Sequence, residues 1–445
     1  MASPETRLGA FVTDLEFDRL SDGEVETVRR AFVDTTGVAL AGAMEGAGEA
    51  TYRQAGIDPK DATPGELLGI DADEPPSEVA LRLGTASHAL DYDDLSWRMD
   101  GHPSVTLIPA LFALAEEADA TGSELLTAYA AGFEAECAIA GPISPDHYES
   151  GWHATATFGP FGAAAAASKL LGLDADQIGR ALGVAASMPA GLKRNFGSMT
   201  KPLHAGLAAR SGVTAAKLAE DGFTADRTPV SGDRGFWDLY GPDDRSEFEL
   251  PNRRVLETDG IHVKAYPCCY FTHTSIAAAQ ALTGENEVDP EEVRRVDVRA
   301  SRGAADALHH ADPETGLEAK FSMEYAVASG VVRDRVGLST FEDGALDDPQ
   351  MQRVRERVDF SVDSSLPYDS HEAEVTLVTD EDTFERRQSD PPGTHRDPLT
   401  DGELRAKFDE CARRAIPAEQ VRGLYETLSR LETVSHPVDA LTSGR

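Results

Sequence analysis

Seven stretches of this sequence repeat small apolar residues at helical spacing, and they constrain the fold more than any other feature. From Glu24 to Gly42, the residues Val25, Val28, Ala31, Phe32, Thr35, Val38 and Ala39 recur as one face of an amphipathic helix. Residues 77–92, 103–119, 121–140, 152–171, 174–189 and 203–220 read as Ala-rich helices, punctuated by Gly101-His102-Pro103, Gly141-Pro142 and Gly172. The small side chains from Phe161 to Ala167 let helix backbones approach closely, which marks them as core helices. A chain of 445 residues exceeds one ordinary domain, so these helices account for one large domain and not for the whole molecule.

After about Asp259 the period shortens. Val293–Ala300, Val358–Val362 and Glu372–Val378 alternate apolar and polar residues and predict three short strands. Helical stretches near 273–282, 317–330 and 347–355 lie between them, and the polar, Pro-containing run from Thr383 to Pro398 predicts a loop. Two closing helical patterns, 400–414 and 417–432, return to the helical part. The expected fold is mainly α: a large all-helical domain over 1–258, completed by 399–445, plus a smaller α+β lid domain over 259–398.

Charge limits the partners. The chain has 78 Asp and Glu against 41 Lys and Arg, a formal net charge of −37 spread along its length. Only eight of the basic residues are Lys. Such diffuse acidity suits a halophilic protein, because self-repulsion is tolerable where salt shortens the Debye length to roughly 3 Å at 1 M. The field opposes phosphate backbones and anionic lipid, which argues against nucleic-acid and membrane partners. Cys137, Cys268, Cys269 and Cys411 lack C-x-x-C spacing and point to a reducing interior. The sequence shows no signal-peptide core and no run near the ~18 apolar residues of a membrane span, so the expected location is cytoplasmic.

Against this acidic background, cations and imidazoles concentrate in three segments. The first is Gly84-Thr-Ala-Ser-His-Ala-Leu-Asp91-Tyr-Asp93-Asp94, followed by Gly101-His102-Pro103-Ser104. If 77–92 is helical, His88 and Asp91 share a face, and the acidic run falls at an unfavourable helix C-terminus. A solvated acidic loop is the bland alternative for Asp93. The second comprises Trp152-His153 and Lys193-Arg194-Asn195-Phe-Gly197-Ser198-Met-Thr200-Lys201-Pro202-Leu-His204, with Lys201 at a predicted helix entrance that favours an anion. The third is His262-Val-Lys264-Ala-Tyr266-Pro-Cys268-Cys269-Tyr270-Phe-Thr272-His273, near the expected domain junction, where pockets often form. Glu318-Ala-Lys320-Phe-Ser322-Met-Glu-Tyr325 adds a further cation. The pattern suits a pocket for a small carboxylate.

In these motifs (GTASHALDYDD with GHPS, GWHATATFG, FGSMTKPLHAG, KAYPCCYFTH and EAKFSMEYAVA), taken in order, the sequence resembles the MmgE/PrpD family of 2-methylcitrate dehydratases and cis-aconitate decarboxylases. The resemblance implies an enzyme with a helical domain, a smaller lid domain, a pocket between them, a homodimer and no metal or other cofactor. It places Asp91, His102, His153, Lys201 and His273 among the residues that line the family's active site, with Lys264, Tyr325, Arg194 and Ser104 as substrate-binding candidates. Where many relatives have Thr or Ser after the Asp-Asp pair, this chain has Leu95.

The expected chemistry is β-elimination of water from a hydroxy-tricarboxylate, with a base, an acid and cations that stabilise the developing enediolate. His153 or His102, oriented by Asp91, would move protons, and Lys201 and His273 would hold carboxylates. Decarboxylation of a cis-aconitate-like acid and epimerisation of an acidic substrate use the same groups. Outside the family, Asp91-Tyr-Asp93-Asp94 could ligate Mg²⁺ as in prenyl-diphosphate chemistry, although no second Asp-rich cluster accompanies it. A non-enzymatic acidic binding protein would show no turnover.

Overall fold

The computed structural model describes residues 2–70, 74–250 and 253–443. Its described residues are mainly α-helical, with one four-stranded sheet. Two compact units divide the chain: Met1–Arg194, Met199–Val263 and Thr400–Arg445 form the larger, and Asn195–Ser198 with Lys264–Leu399 the smaller.

The larger unit contains the helices Asp22–Ala43, Pro76–His88, Ser104–Ala115, Gly122–Ala140, Ala154–Leu170, Ala175–Ala185 and Thr200–Glu220, joined by Asp401–Ala412 and Ala418–Leu428. Capping boxes start several of them: Ser21 with Glu24, Thr121 with Glu124, Asp174 with Gln177 and Thr400 with Glu403. Each satisfies backbone N–H groups that a helix start leaves unpaired, a cap worth about 0.5–2 kcal/mol. At the centre, Ala80, Ala110, Leu114, Ala163, Ala167, Ala209, Val213 and Ala216 form a buried cluster drawn from four helices. Small residues make this possible. A Cβ on Gly84 would lie 2.9 Å from the Cα of Gly206, so the Pro76–His88 and Thr200–Glu220 helices cross almost backbone to backbone. That crossing fixes one end of each helix relative to the other.

The sequence expectation for 77–92 needs correction. The helix ends at His88, and Asp91 adopts a left-handed backbone with φ 53°, so Asp91 does not share a helical face with His88. Asp tolerates this region better than most residues, which lets the chain turn abruptly there.

In the smaller unit, β1 (Arg295–Ala300), β2 (Val358–Val362), β3 (Ala373–Val378) and β4 (Thr383–Gln388) form a sheet in the order β2-β1-β3-β4. β1 runs parallel to β2 and antiparallel to β3, and β3 pairs antiparallel with β4. Val296, Val298 and Ala300 alternate inward with Ala373, Val375 and Leu377, and this face packs with residues of the helices His273–Glu285 and Met323–Val332 in one core. β4 corrects the expected loop over Thr383–Pro398. Thr-Phe-Glu-Arg-Arg-Gln lies at the sheet edge with no fully buried position, so it lacks the apolar alternation that marks a strand. The expected helix over 317–330 is likewise two helices, Gly316–Ala319 and Met323–Val332, because Ser322 caps the second by accepting from the N–H of Tyr325.

Candidate active site

In the loop after the Pro76–His88 helix, three carboxylates go to three different partners. Asp91 receives the ammonium of Lys201, the second residue of the Thr200–Glu220 helix. Asp93 is completely buried and meets two imidazoles: His88 Nδ1 lies 2.8 and 2.9 Å from its oxygens, and His102 Nδ1 lies 3.0 Å from Oδ2. Asp94 bonds the hydroxyl of Ser104, whose oxygen is 2.6 Å from the phenol of Tyr129. The run is therefore a buried polar network, and the solvated-loop reading of Asp93 is wrong. The two neighbours also differ in charge. Burial opposes ionisation of Asp93, but His88 and His102 hold its carboxyl well below the usual range. Burial raises the carboxyl of Asp94 well above it, and the charges of Asp34 and Asp93 add to the effect.

The loop is held from several sides. Lys407, from the Asp401–Ala412 helix, donates to the carbonyl of Tyr92 at 2.7 Å, pairs with buried Asp34 at 2.7 Å and lies 4.0 Å over the Tyr92 ring. Leu95 exchanges two backbone hydrogen bonds with His262, and Ser96 bridges to Gly101. Trp97 packs on His262 with ring centroids 4.0 Å apart. A Cβ on Gly101 would come within 2.9 Å of the Thr155 nitrogen, and that closeness lets the His102 N–H donate to Thr155 Oγ1 at 3.0 Å. His102 is thus set in place by its backbone as well as by its ring.

Two more imidazoles complete the cluster. His153 stands at the N-cap of the Ala154–Leu170 helix, with Nδ1 3.0 Å from Nδ1 of His204. The rings of His88 and His102 are 4.6 Å apart, and those of His88 and His153 are stacked at 5.8 Å. Burial, with Lys201 and neighbouring imidazoles, pushes His153 well below its ordinary pKa. Burial takes His88 and His204 down to about 4, with Lys201 adding to the effect on each and Asp93 opposing it at His88. The result is three neutral imidazoles, His88, His153 and His204, beside one buried ammonium and two carboxylates of opposite tendency.

Of the residues expected from the sequence, Asp91, His102, His153, Lys201 and Ser104 come together here. Their partners differ from the expectation that Asp91 orients an imidazole: Asp91 meets Lys201, whereas the ring of His102 meets Asp93, and Ser104 bonds Asp94. Arg194 is exposed. Lys264, His273 and Tyr325 belong to the smaller unit and are buried there. His273 opens the His273–Glu285 helix with Nε2 3.2 Å from the Cys268 carbonyl, and the Tyr325 hydroxyl donates to the Thr340 carbonyl at 2.6 Å. His88, Asp93 and His204 were missed as site residues although the first lies in SHAL, the second in DYDD and the third one turn past Lys201.

Among the described residues, a metal would find His88, Asp91 and His102, whose ligand atoms approach within 4.8 Å of one another. The Lys201 ammonium already meets Asp91, putting fixed positive charge against the only carboxylate of that set. The divergent partners of Asp91, Asp93 and Asp94 also fail the convergent oxygen set that a prenyl-diphosphate Mg²⁺ site requires.

The profile of the MmgE/PrpD N-terminal domain matches residues 6–249, and that of the MmgE/PrpD C-terminal domain matches residues 266–432. The chain belongs to the MmgE/PrpD family. Among its MmgE/PrpD relatives, the cis-aconitate decarboxylase of Mus musculus is 26% identical over 440 residues, covering 94% of this chain and 88% of the relative. The cis-aconitate decarboxylase of Homo sapiens is 26% identical over 435 residues, covering 94% and 89%. The cis-aconitate decarboxylase-like protein oryM of Aspergillus oryzae is 28% identical over 411 residues, covering 85% and 84%. These MmgE/PrpD relatives are lyases of small carboxylates. No helix among the described residues is long and apolar enough to cross a membrane.

Proposed function

We propose that this chain is a cofactor-independent carboxy-lyase that releases CO₂ from a small tricarboxylate of the cis-aconitate kind. The observation that carries the reading is the buried cluster itself, in which neutral imidazoles of fixed orientation surround the Lys201–Asp91 pair. The decarboxylase names of the relatives favour CO₂ loss over the elimination of water expected from the sequence.

In such a reaction the bond to one carboxylate breaks, CO₂ leaves, and the electron pair shifts through the adjacent double bond to a carbon that must then take up a proton. Lys201 supplies positive charge against the substrate's carboxylates. His102 supplies the proton. To supply it, His102 must first carry hydrogen on both nitrogens, as the imidazolium whose charge Asp93 balances, and it regains that proton from solvent after turnover. Its Nδ1 faces two acceptors, Asp93 Oδ2 at 3.0 Å and the Asp94 carbonyl at 2.8 Å, so Nδ1 bears hydrogen and Nε2 is the atom left to exchange a proton with substrate. His153, paired to His204, is the second proton-carrying group. Lys264 and His273 enter as substrate contacts on the family resemblance, whereas Tyr325, whose hydroxyl is committed to the Thr340 carbonyl, and exposed Arg194 have less support.

The test is incubation of the purified chain with cis-aconitate, citrate and 2-methylcitrate, with released CO₂ and products read by mass detection. CO₂ and a dicarboxylate from cis-aconitate are expected. Water loss from citrate or 2-methylcitrate without CO₂ would restore the hydro-lyase reading and overturn this one.

A further inference from the structure

We propose that Asp93 is a positioning residue that sets the tautomer and orientation of two imidazoles at once, those of His88 and His102, through their Nδ1 atoms. The proposal deepens the active-site reading and rests on it for its catalytic consequence.

The geometry leaves little choice of proton placement. Asp93 is 0% exposed, and its oxygens receive His88 Nδ1 at 2.8 and 2.9 Å and His102 Nδ1 at 3.0 Å. A carboxylate only accepts, so both Nδ1 atoms must carry hydrogen and both rings present a bare Nε2 when neutral. For His102 the Asp94 carbonyl at 2.8 Å enforces the same tautomer. For His88 nothing else among the described residues does: its Nε2 is buried and finds no hydrogen-bond partner among them. Asp93 is therefore the one group joining the two rings, whose centroids are 4.6 Å apart.

The surroundings keep this carboxylate in place. Asp91 and Lys201 pair with one another beside the cluster, Lys407 and Asp34 form a second buried pair, and Asp94 is engaged by Ser104. His153 and His204 bond each other, leaving Asp93 to His88 and His102. A third group that orients the proton-carrying group is a recurrent requirement of acid–base sites. Here one carboxylate serves two such rings.

Asp93→Asn separates charge and acceptor from shape. An amide offers one oxygen and one NH₂. Both Nδ1 atoms lie on Oδ2 and only His88 Nδ1 also lies on Oδ1, at 2.9 Å, so with the amide oxygen in the place of Oδ2 the NH₂ faces His88 Nδ1, which then has to give up its hydrogen. Because the Asp94 carbonyl still demands Nδ1–H on His102, His88 is the ring expected to invert.

The experiment uses the full chain with ¹⁵N-labelled histidine, comparing wild type with Asp93→Asn. Signals are assigned with His88→Gln and His102→Gln, and folding is checked by melting and by binding of the unreactive analogue tricarballylate. The expected result is Nδ1–H on both rings in wild type and Nε2–H on His88 in Asp93→Asn. With cis-aconitate, kcat should fall about 100-fold, the low end of acid–base contributions, while KM and tricarballylate binding stay within about threefold. Unchanged tautomers in Asp93→Asn, or kcat within threefold of wild type, would overturn the proposal. If wild type turns over none of the acids, the functional reading fails, and the tautomers still decide whether Asp93 holds the rings. Should Asp93→Asn fail to fold, the wild-type tautomers decide alone: Nε2–H on either ring refutes the hold.

Discussion

In the larger unit, His88 and His102 turn Nδ1 to a buried carboxylate, whereas in the smaller unit His273 turns Nε2 to the neutral carbonyl of Cys268, with the rings of Tyr266 and Tyr270 at 5.1 and 4.8 Å. Both arrangements fix a ring. A carboxylate offers a counter-charge when the ring gains a proton, whereas a carbonyl orients its partner without neutralising it. On the proposed function, proton transfer is assigned to the carboxylate-held rings. The carbonyl-held ring suits a constant hydrogen bond to substrate.

The largest effect should therefore fall on His102. His102→Ala is expected to lower kcat on cis-aconitate by about 10³, within the range that positioned acids and bases contribute. Lys201→Ala should cost a comparable factor, since it also removes the ammonium that pairs with buried Asp91. His273→Ala should chiefly raise KM, by about tenfold, as loss of one hydrogen bond to a charged group would. Steady-state kinetics on the three variants decide the matter. Equal losses of kcat in His102→Ala and His273→Ala would erase the distinction between the two regions.

Much of the first region was legible in the sequence because its residues cluster in short motifs. Asp91, His102, His153 and Lys201 stand out as rare charges or imidazoles in an acidic, Ala-rich chain. The pairing was not legible. Helical spacing put Asp91 beside His88, but a left-handed residue at Asp91 turns the chain and hands the imidazoles to Asp93 instead. One backbone angle outside the helical region changes every partner downstream of it. Asp93 itself was hidden by composition, since one more Asp in a chain of 78 acids looks like surface. Most of the long helices were readable from apolar periodicity, with ends off by a few residues, whereas Pro4–Asp14 and Gly46–Gln54 were not. β4 was not, because an exposed edge strand needs no apolar face.

A second effect separates burial from charge. Burial takes both His88 and His371 of the smaller unit down to about 4, and Asp93 opposes the shift only at His88. Between pH 6.5 and about 4 the unfolded chain binds protons that these folded rings refuse, so stability is complete above 6.5 and falls as pH drops through that window. For fully buried His88 the loss is roughly 3 kcal/mol by the bottom of the window. Urea midpoints at pH 7, 5.5 and 4.5 should show a shallower acid slope for His88→Gln than for wild type. The same slope in both would mean that His88 takes up its proton in the folded state, and the contrast between a neutral ring and its charged partner would be lost.

The smallest effect concerns Tyr325, whose hydroxyl has a neutral partner as His273 does. Its buried phenol donates to the Thr340 carbonyl, and Tyr325→Phe leaves that acceptor unpaired at a cost of about 1–3 kcal/mol. The cost should appear in the urea midpoint, because the bond lies within the core of the smaller unit. Ser104→Ala makes the matching change in the larger unit, where the hydroxyl joins Asp94 to Tyr129. There a change in kcat should accompany the change in stability, since the Asp94 carbonyl also holds His102. If Tyr325→Phe instead loses kcat with its urea midpoint intact, the phenol acts on substrate, and the neutral region shares the chemistry assigned here to the charged one.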